Sequence, residues 1–221
     1  SAYLYFFVYH VSKWPGEFLI AILFVFLLIA GNILNYKRHM KLFLQEKEIG
    51  KINKELEYLA ESDQLTGIYN RRKSQEIAEK HIALAQRYND PFCVAILDID
   101  RFKSVNDKFG HNVGDKVLQQ FTEAIKSQLR STDIFGRWGG EEFIILIPKS
   151  DTKSAFGVLE KLRKYIETFP FVSIKHITFS AGLCMYSGEK NSFEIIARAD
   201  TALYRAKDLG RNQIQICEKS I

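Results

Sequence analysis

Residues 18–34, FLIAILFVFLLIAGNIL, form an apolar run of 17 residues that carries no charge and one strongly polar member, Asn32. A membrane-spanning helix needs ~20 apolar residues, with a range of about 17–25, and Trp14 and Tyr36 extend this run as interfacial anchors. A helix this apolar on every face otherwise needs a larger domain around it than the chain supplies. Lys37, Arg38 and Lys41 follow directly, so the positive-inside rule predicts a cytoplasmic C-terminal side. Residues 2–11, AYLYFFVYHV, are also apolar and are set apart by residues 12–17. They fit either the end of a preceding membrane helix or the last strand of an external domain.

The pattern then changes period. Leu42, Ile49 and Leu56 repeat every seven residues, Ile52 and Leu59 fill the complementary positions, and Gln45 takes the third. This heptad seam predicts a parallel two-stranded coiled coil, weakened by Gln45 and Gly50; the alternative is one amphipathic helix packed on its own domain. The expected organisation is an external or truncated membrane segment over 1–17, a transmembrane helix over 18–36, a signalling helix over 37–61 and a catalytic domain over 62–221. A chain opening on Ser1 is expected to be a fragment or a processed product.

Within 62–221, Thr66-Gly67 signals a turn, and Asn70 is placed to cap a helix over about 71–88 that Asn89-Asp90-Pro91 ends. Residues 92–99, FCVAILDI, read as a strand buried on both faces. Gly110 and Gly114 are expected to bracket a turn carrying His111, with a helix from Asp115 to Arg130. Residues 133–135 and 144–148 are β-rich and flank RWGGEEF at 137–143, which predicts a hairpin whose turn is those seven residues.

Composition adds limits. With 47% apolar and 26% charged residues the chain is globular, and a net charge of +5 fits a membrane-flanking basic cluster or a phosphate ligand without demanding nucleic acid. Cys93, Cys184 and Cys217 are far apart and odd in number, which predicts buried free thiols in a reducing compartment.

The chemistry gathers on acids. Asp98 ends a buried strand, where a carboxylate is costly unless paired or metal-bound. Glu141 and Glu142 sit at a glycine turn, and alone would read equally well as surface acids. Together the three make an oxygen-donor site suited to Mg²⁺. Lys103 and Asn106 fall one helical turn apart on the same side. Asn106 and Asp115 offer groups able to read a base edge, and a carboxylate acceptor suits the N1–H and N2–H₂ donors of guanine.

DQLTGIYNRR, LDIDRFKSVNDKFGHNVGD and RWGGEEF, followed by Phe179-Ser180-Ala181-Gly182 and ADTALYRAKDLGRNQI, resemble the diguanylate cyclase (GGDEF-domain) family over about residues 62–217. The resemblance implies an α/β (α+β) fold with a central, mostly antiparallel five-stranded sheet flanked by helices, related to the polymerase palm and adenylyl cyclase. It implies a homodimer condensing two GTP into cyclic di-3′,5′-GMP with release of pyrophosphate, using Mg²⁺, or Mn²⁺ in its place. By matching positions, Asp98, Glu141 and the carbonyl of Ile99 would hold metal, and Glu141 would also be the base. Glu142 matches the second signature acid, and Lys103 the position that stabilises transition-state charge. Asn106, His111, Asp115, Gly139 and Gly140 would contact the nucleotide, and Lys207 and Arg211 its phosphates. Phe102 and Phe109 are expected to pack.

Arg130 and Asp133 form an R-x-x-D six residues before Gly139, the offset of the family's inhibitory site for cyclic di-GMP, with Arg163 as a candidate companion. The expected location is the bacterial inner membrane with the catalytic domain in the cytoplasm. Two other functions compete. A non-catalytic nucleotide-binding domain would typically lack the signature acids, which are all present here. A cyclase for adenine nucleotides is disfavoured by Asp115, whose carboxylate repels adenine N1.

Overall fold

A computed structural model describes residues 2–13, 15–172 and 174–218. The chain divides into two units, residues 1–57 and 58–221.

In the first unit, helix α1 spans Ala2–Lys13 and helix α2 starts at Pro15, ending at Glu61 in the second unit. The helical state of α1 removes the external-strand alternative for residues 2–11. Helix α2 carries a window of mean hydropathy 2.5, enough in length and composition to cross a membrane. The heptad residues Leu42, Ile49, Ile52 and Leu56 are all exposed. An apolar stripe left in water is unfavourable, so it calls for a partner surface.

The second unit contains helix α3 (Arg71–Tyr88), strand β1 (Phe92–Ile99), helices α4 (Phe102–Phe109) and α5 (His111–Gln128), strands β2 (Ile134–Gly139) and β3 (Glu142–Pro148), helix α6 (Thr152–Thr168), strand β4 (Phe179–Met185), helix α7 (Ser192–Asp208) and strand β5 (Ile214–Ile216). The five strands lie in the order β2-β3-β1-β4-β5. All neighbours are antiparallel except β4 and β5. This is the mostly antiparallel sheet anticipated above.

Strand β1 is central and buried along its whole length. Its alternate residues feed two cores. Cys93, Ala95, Leu97 and Ile99 face α5 and α6, whose Phe121, Ile125 and Leu159 meet them. Val94 and Ile96 face α3 and α7, where Ile82, Ile195 and Leu203 complete the layer. Helices thus cover both faces, and functional groups are confined to strand ends and to the helices beside them.

Asn70 caps α3 as expected, its side chain accepting from Lys73 N at 2.9 Å. Three expectations are corrected. The hairpin turn is shorter than RWGGEEF: Arg137-Trp138-Gly139 belong to β2 and Glu142-Phe143 to β3, leaving Gly140 and Glu141 at the tip, with a bulge between Arg137 and Gly139. Helix α5 starts at His111, not Asp115. Gly114 is therefore a close-approach residue inside the helix, because a Cβ there would overlap the Asn106 side chain of α4. Cys184 and Cys217 are joined in a disulfide, so only Cys93 is free. Cys217 N donates to Leu183 O at 2.8 Å, which brings the tail after β5 alongside β4; a separation of 33 residues gave no sign of it.

Candidate active site

Antiparallel pairing of β1 with β3 sets the last carboxylate of one strand against the first of the other, since Asp98 is opposite Glu142. At the tip of the hairpin, Glu141 O accepts from Ile99 N at 3.3 Å. Acids separated by over forty positions in sequence are thus brought to one end of the two interior strands. From the other side α7 brings Lys207, whose Nζ lies 2.7 Å from Asp98 Oδ2.

Asp98 is 7% exposed. Burial raises its pKa to about 6, Lys207 works against the rise, and the charges of Glu141 and Glu142 add to it. A buried carboxylate crowded by two more is stabilised by a cation close by. Hard oxygen donors of this kind suit a hard divalent cation. Among the described residues no three His, Cys, Asp or Glu side chains converge as a ready-made cluster. The set matched above asks for only two carboxylates and the carbonyl of Ile99.

The hairpin tip is held by two residues that sequence reasoning passed over. Arg137 donates from Nε and Nη2 to Gly140 O at 3.0 and 2.8 Å. Its Nη1 reaches both carboxylate oxygens of Asp63 at 3.0 and 3.2 Å. Gly140 adopts φ 28°, a conformation that a side chain would strain. Burial raises the Asp63 pKa, but Thr66 and Arg137 outweigh it and hold the carboxyl below its ordinary value. Asp63 and Arg137 stand in the quoted motifs, and an unmatched arginine three residues before the Gly140 turn was the available signal.

Asp100 was also missed. Its carboxylate accepts from Thr178 Oγ1 and Ser180 Oγ, each at 2.6 Å, and from Asn212 N at 3.0 Å. It is a structural acid, tying the loop after α7 to the end of β1, and is too fully engaged to serve as a ligand.

The remaining candidates distribute as follows. Lys103 and Asn106 lie on α4, with Lys103 exposed. Asn106 Oδ1 is buried without a hydrogen-bond partner, lying against the Gly114 position that precedes Asp115. His111 and Asp115 are exposed on the first turns of α5. Gly139 and Gly140 are exposed at the hairpin, and Arg211 is exposed after α7 with φ 66°. Phe102 is buried as expected, whereas Phe109 is 43% exposed. The exposure of Lys103, His111, Asp115 and Arg211 leaves them available to a ligand.

Arg130 and Asp133 form a compact turn elsewhere, in which Asp133 Oδ2 accepts from Arg130 N at 3.0 Å. They line a cavity of about 570 Å³ together with Tyr58, Glu61, Lys126 and Phe135. Arg163 is not among its lining residues; its guanidinium donates to Glu160, Glu167 and Asn212.

Comparison with known proteins places this architecture. The family described as "Diguanylate cyclase, GGDEF domain" matches residues 60–213. Diguanylate cyclase DgcM of Escherichia coli is 36% identical over 168 residues, covering 74% of this chain and 40% of the relative. Response regulator PleD of Caulobacter vibrioides is 36% identical over 162 residues, 71% of this chain and 36% of the relative. The chain therefore spans well under half the length of these curated relatives. Among solved structures, the coiled coil and GGDEF domain of DgcB from Caulobacter crescentus, in complex with c-di-GMP, superposes with a TM-score of 0.72 at 27% identity, covering 81% of this chain and 98% of that one. The active GGEEF domain of a diguanylate cyclase from Vibrio cholerae gives 0.65 at 36% identity, covering 71% and 100%.

Proposed function

Because the chain belongs to the GGDEF diguanylate cyclase family, we propose that it condenses two GTP into cyclic di-3′,5′-GMP and two pyrophosphates. The observation that carries this reading is the backbone register that sets Asp98 opposite Glu142 and the Ile99 amide on the Glu141 carbonyl where β1 joins the β2–β3 hairpin, with Lys207 Nζ 2.7 Å from Asp98 Oδ2. The Vibrio cholerae relative, described as active, carries the same GGEEF form of the signature as residues 139–143 here.

Asp98, Glu141 and the Ile99 carbonyl would hold a Mg²⁺ ion, which would supply positive charge to the phosphates and acidity to the attacking hydroxyl. The protein's residues do the rest. Asn106 and Asp115 accept hydrogen bonds from the guanine edge. His111 adds a nucleotide contact. Gly139 and Gly140 leave room for the nucleotide to lie on the hairpin. Lys207 and Arg211 bind phosphate oxygens, and Lys103 stabilises charge developing at the α-phosphate. Glu141 takes the 3′-hydroxyl proton as that oxygen bonds to the partner's α-phosphorus. The α–β bridging bond breaks, and its electron pair leaves with pyrophosphate.

Each domain offers one such half-site, so turnover requires two copies facing each other. The exposed heptad of α2 supports a homodimer, and its apolar window supports an anchor in the inner membrane with the catalytic domain in the cytoplasm. The domain boundaries follow, with 18–36 in the membrane, 37–61 as signalling helix and 62–221 catalytic. The Arg130–Asp133 turn is proposed as the product-inhibition site, its guanidinium stacking on guanine and binding phosphate together.

The test is a product assay on the full chain with GTP and Mg²⁺. Cyclic di-GMP and pyrophosphate are expected, and Glu141→Gln is expected to lower turnover at least a hundredfold with an unchanged melting profile. GTP binding without product would instead establish a non-catalytic nucleotide-binding domain. Arg130→Ala is expected to keep turnover and lose inhibition by added cyclic di-GMP; inhibition at wild-type strength would remove the R-x-x-D assignment.

A further inference from the structure

The signature hairpin turns on Gly139 and Gly140, which have no side chains to hold it. Its tip is therefore fixed by the residues just before it. Arg137 is tied to Asp63 through its side chain, and its N–H donates to Tyr69 O at 2.8 Å. Trp138 is held differently. It is half-buried and packs against the core layer that contains Ile82, Ile195 and Leu203. Over its ring lies Arg71, with the guanidinium carbon 4.5 Å from the centroid. Arg71 is exposed and, among the described residues, forms no ion pair. A cation without a carboxylate partner is drawn to the negative face of an indole.

Asp63, Tyr69 and Arg71 all come from the short stretch where α2 gives way to α3. The same stretch is fastened to the last turn of α2. Asn70 N donates to Glu61 O and Asn70 Nδ2 to Ala60 O, both at 2.8 Å. Arg72 Nη2 donates to Ala60 O at 2.7 Å, and Lys73 Nζ lies 2.6 Å from Glu61 Oε1. The backbone carbonyls served here are ones that a helix end leaves without intrahelical partners. On its other side α3 lies hard against β2, since a Cβ at Gly136 would overlap the buried Ser74 Oγ. Residues 58–61 belong to the same compact unit as the hairpin.

We propose that Arg71 is a positioning residue for Glu141: stacked on Trp138, it carries the orientation of the last turn of α2 to the signature hairpin. Only Gly139 and Gly140 separate Trp138 from Glu141, so a displaced indole displaces the carboxylate. The inference rests on the cyclase reading for the task of Glu141. Misplacing a reacting group slows the chemical step, whereas loss of a substrate contact raises KM.

The experiment uses the full chain carrying Trp14→Phe, which leaves Trp138 as its only tryptophan. Arg71→Gln is expected to lower kcat about tenfold and to leave the KM for GTP within about twofold. It should also raise the quenching of Trp138 fluorescence by acrylamide, because the guanidinium no longer covers the ring. Arg71→Lys keeps a cation over the ring and is expected to recover most of both effects. Because Arg71 is exposed, an unchanged melting profile is expected, which separates positioning from stability. Arg72→Ala releases Ala60 O and is expected to alter Trp138 quenching when Arg71 is present, but not in combination with Arg71→Gln. A raised KM with kcat intact would make Arg71 a nucleotide ligand and overturn the proposal. Unchanged quenching in Arg71→Gln, or an Arg72→Ala effect of equal size in both backgrounds, would overturn it too. A chain that makes no cyclic di-GMP, yet shows the expected quenching responses, would sink the cyclase reading and leave the link from α2 to the hairpin standing.

Discussion

Arg137 shows how one side chain converts a flexible glycine tip into a fixed one. Its guanidinium bridges the Gly140 carbonyl and the Asp63 carboxylate, so the segment before α3 is locked to the hairpin tip by four hydrogen-bond contacts. Hydrogen bonds to charged groups contribute about 1.5–3 kcal/mol each when partly buried. Asp63→Asn is therefore expected to destabilise the catalytic unit by about 2 kcal/mol, read from urea denaturation. Turnover should fall further than stability, because Glu141 stands beside the released carbonyl. The pH dependence has a definite sign. The Asp63 carboxyl is held below its ordinary value, so its stabilisation is complete above the unfolded value of about 3.9 and is lost as pH falls through the lower folded value. Denaturation midpoints of the wild type and Asp63→Asn should converge as pH falls through the lowered folded value; a gap that stays constant on acidification would deny the carboxylate this role.

Elements register what single residues could not reveal in advance. The β1 run, the α3 cap and the acids at 98, 141 and 142 were legible, because burial on both faces and capping leave local marks in sequence. The exact hairpin tip was not, since Trp138 and Phe143 suit a strand as well as a turn. The start of α5 was hidden because Gly114 signals a break by composition, while its real role is contact with Asn106 across the helix pair. Gly182 belongs to the same class. It lies in β4 where a Cβ would overlap Ala199 O and Leu203 N of α7. Helix α7 carries Lys207, so this close approach sets the distance from the sheet to the site. Gly182→Ala forces backbone against backbone and is expected to cost about 3 kcal/mol. Urea denaturation measures the loss, and a variant as stable as wild type would mean that α7 stands further from β4. The disulfide of Cys184 with Cys217 was equally illegible, because parallel addition of β5 is a long-range event without a local pattern.

For the molecule as a whole, the unresolved balance is between a catalytic unit that folds on its own core and a helix whose apolar seam faces solvent. The heptad positions Leu42, Ile49, Ile52 and Leu56 are 48%, 56%, 50% and 58% exposed, too much apolar surface for a lone helix in water. A second copy is the partner that the proposed chemistry also needs, because each half-site supplies one GTP. If seam pairing sets how two catalytic units face, activity depends on helical phase. An α-helix turns roughly 100° per residue, so two residues inserted between Ile52 and Leu56 rotate everything beyond by roughly 200°, whereas seven nearly restore the phase. Replacing residues 1–41 with a strong parallel two-stranded coil, in register with Leu42, Ile49 and Leu56, is expected to raise cyclic di-GMP formation several-fold at low protein concentration. The two-residue insertion in that fusion should remove most of the gain, and the seven-residue insertion should recover it. Equal rates for all three fusions would show that the linker joins two copies without orienting them, and that the half-sites find each other through the catalytic units alone.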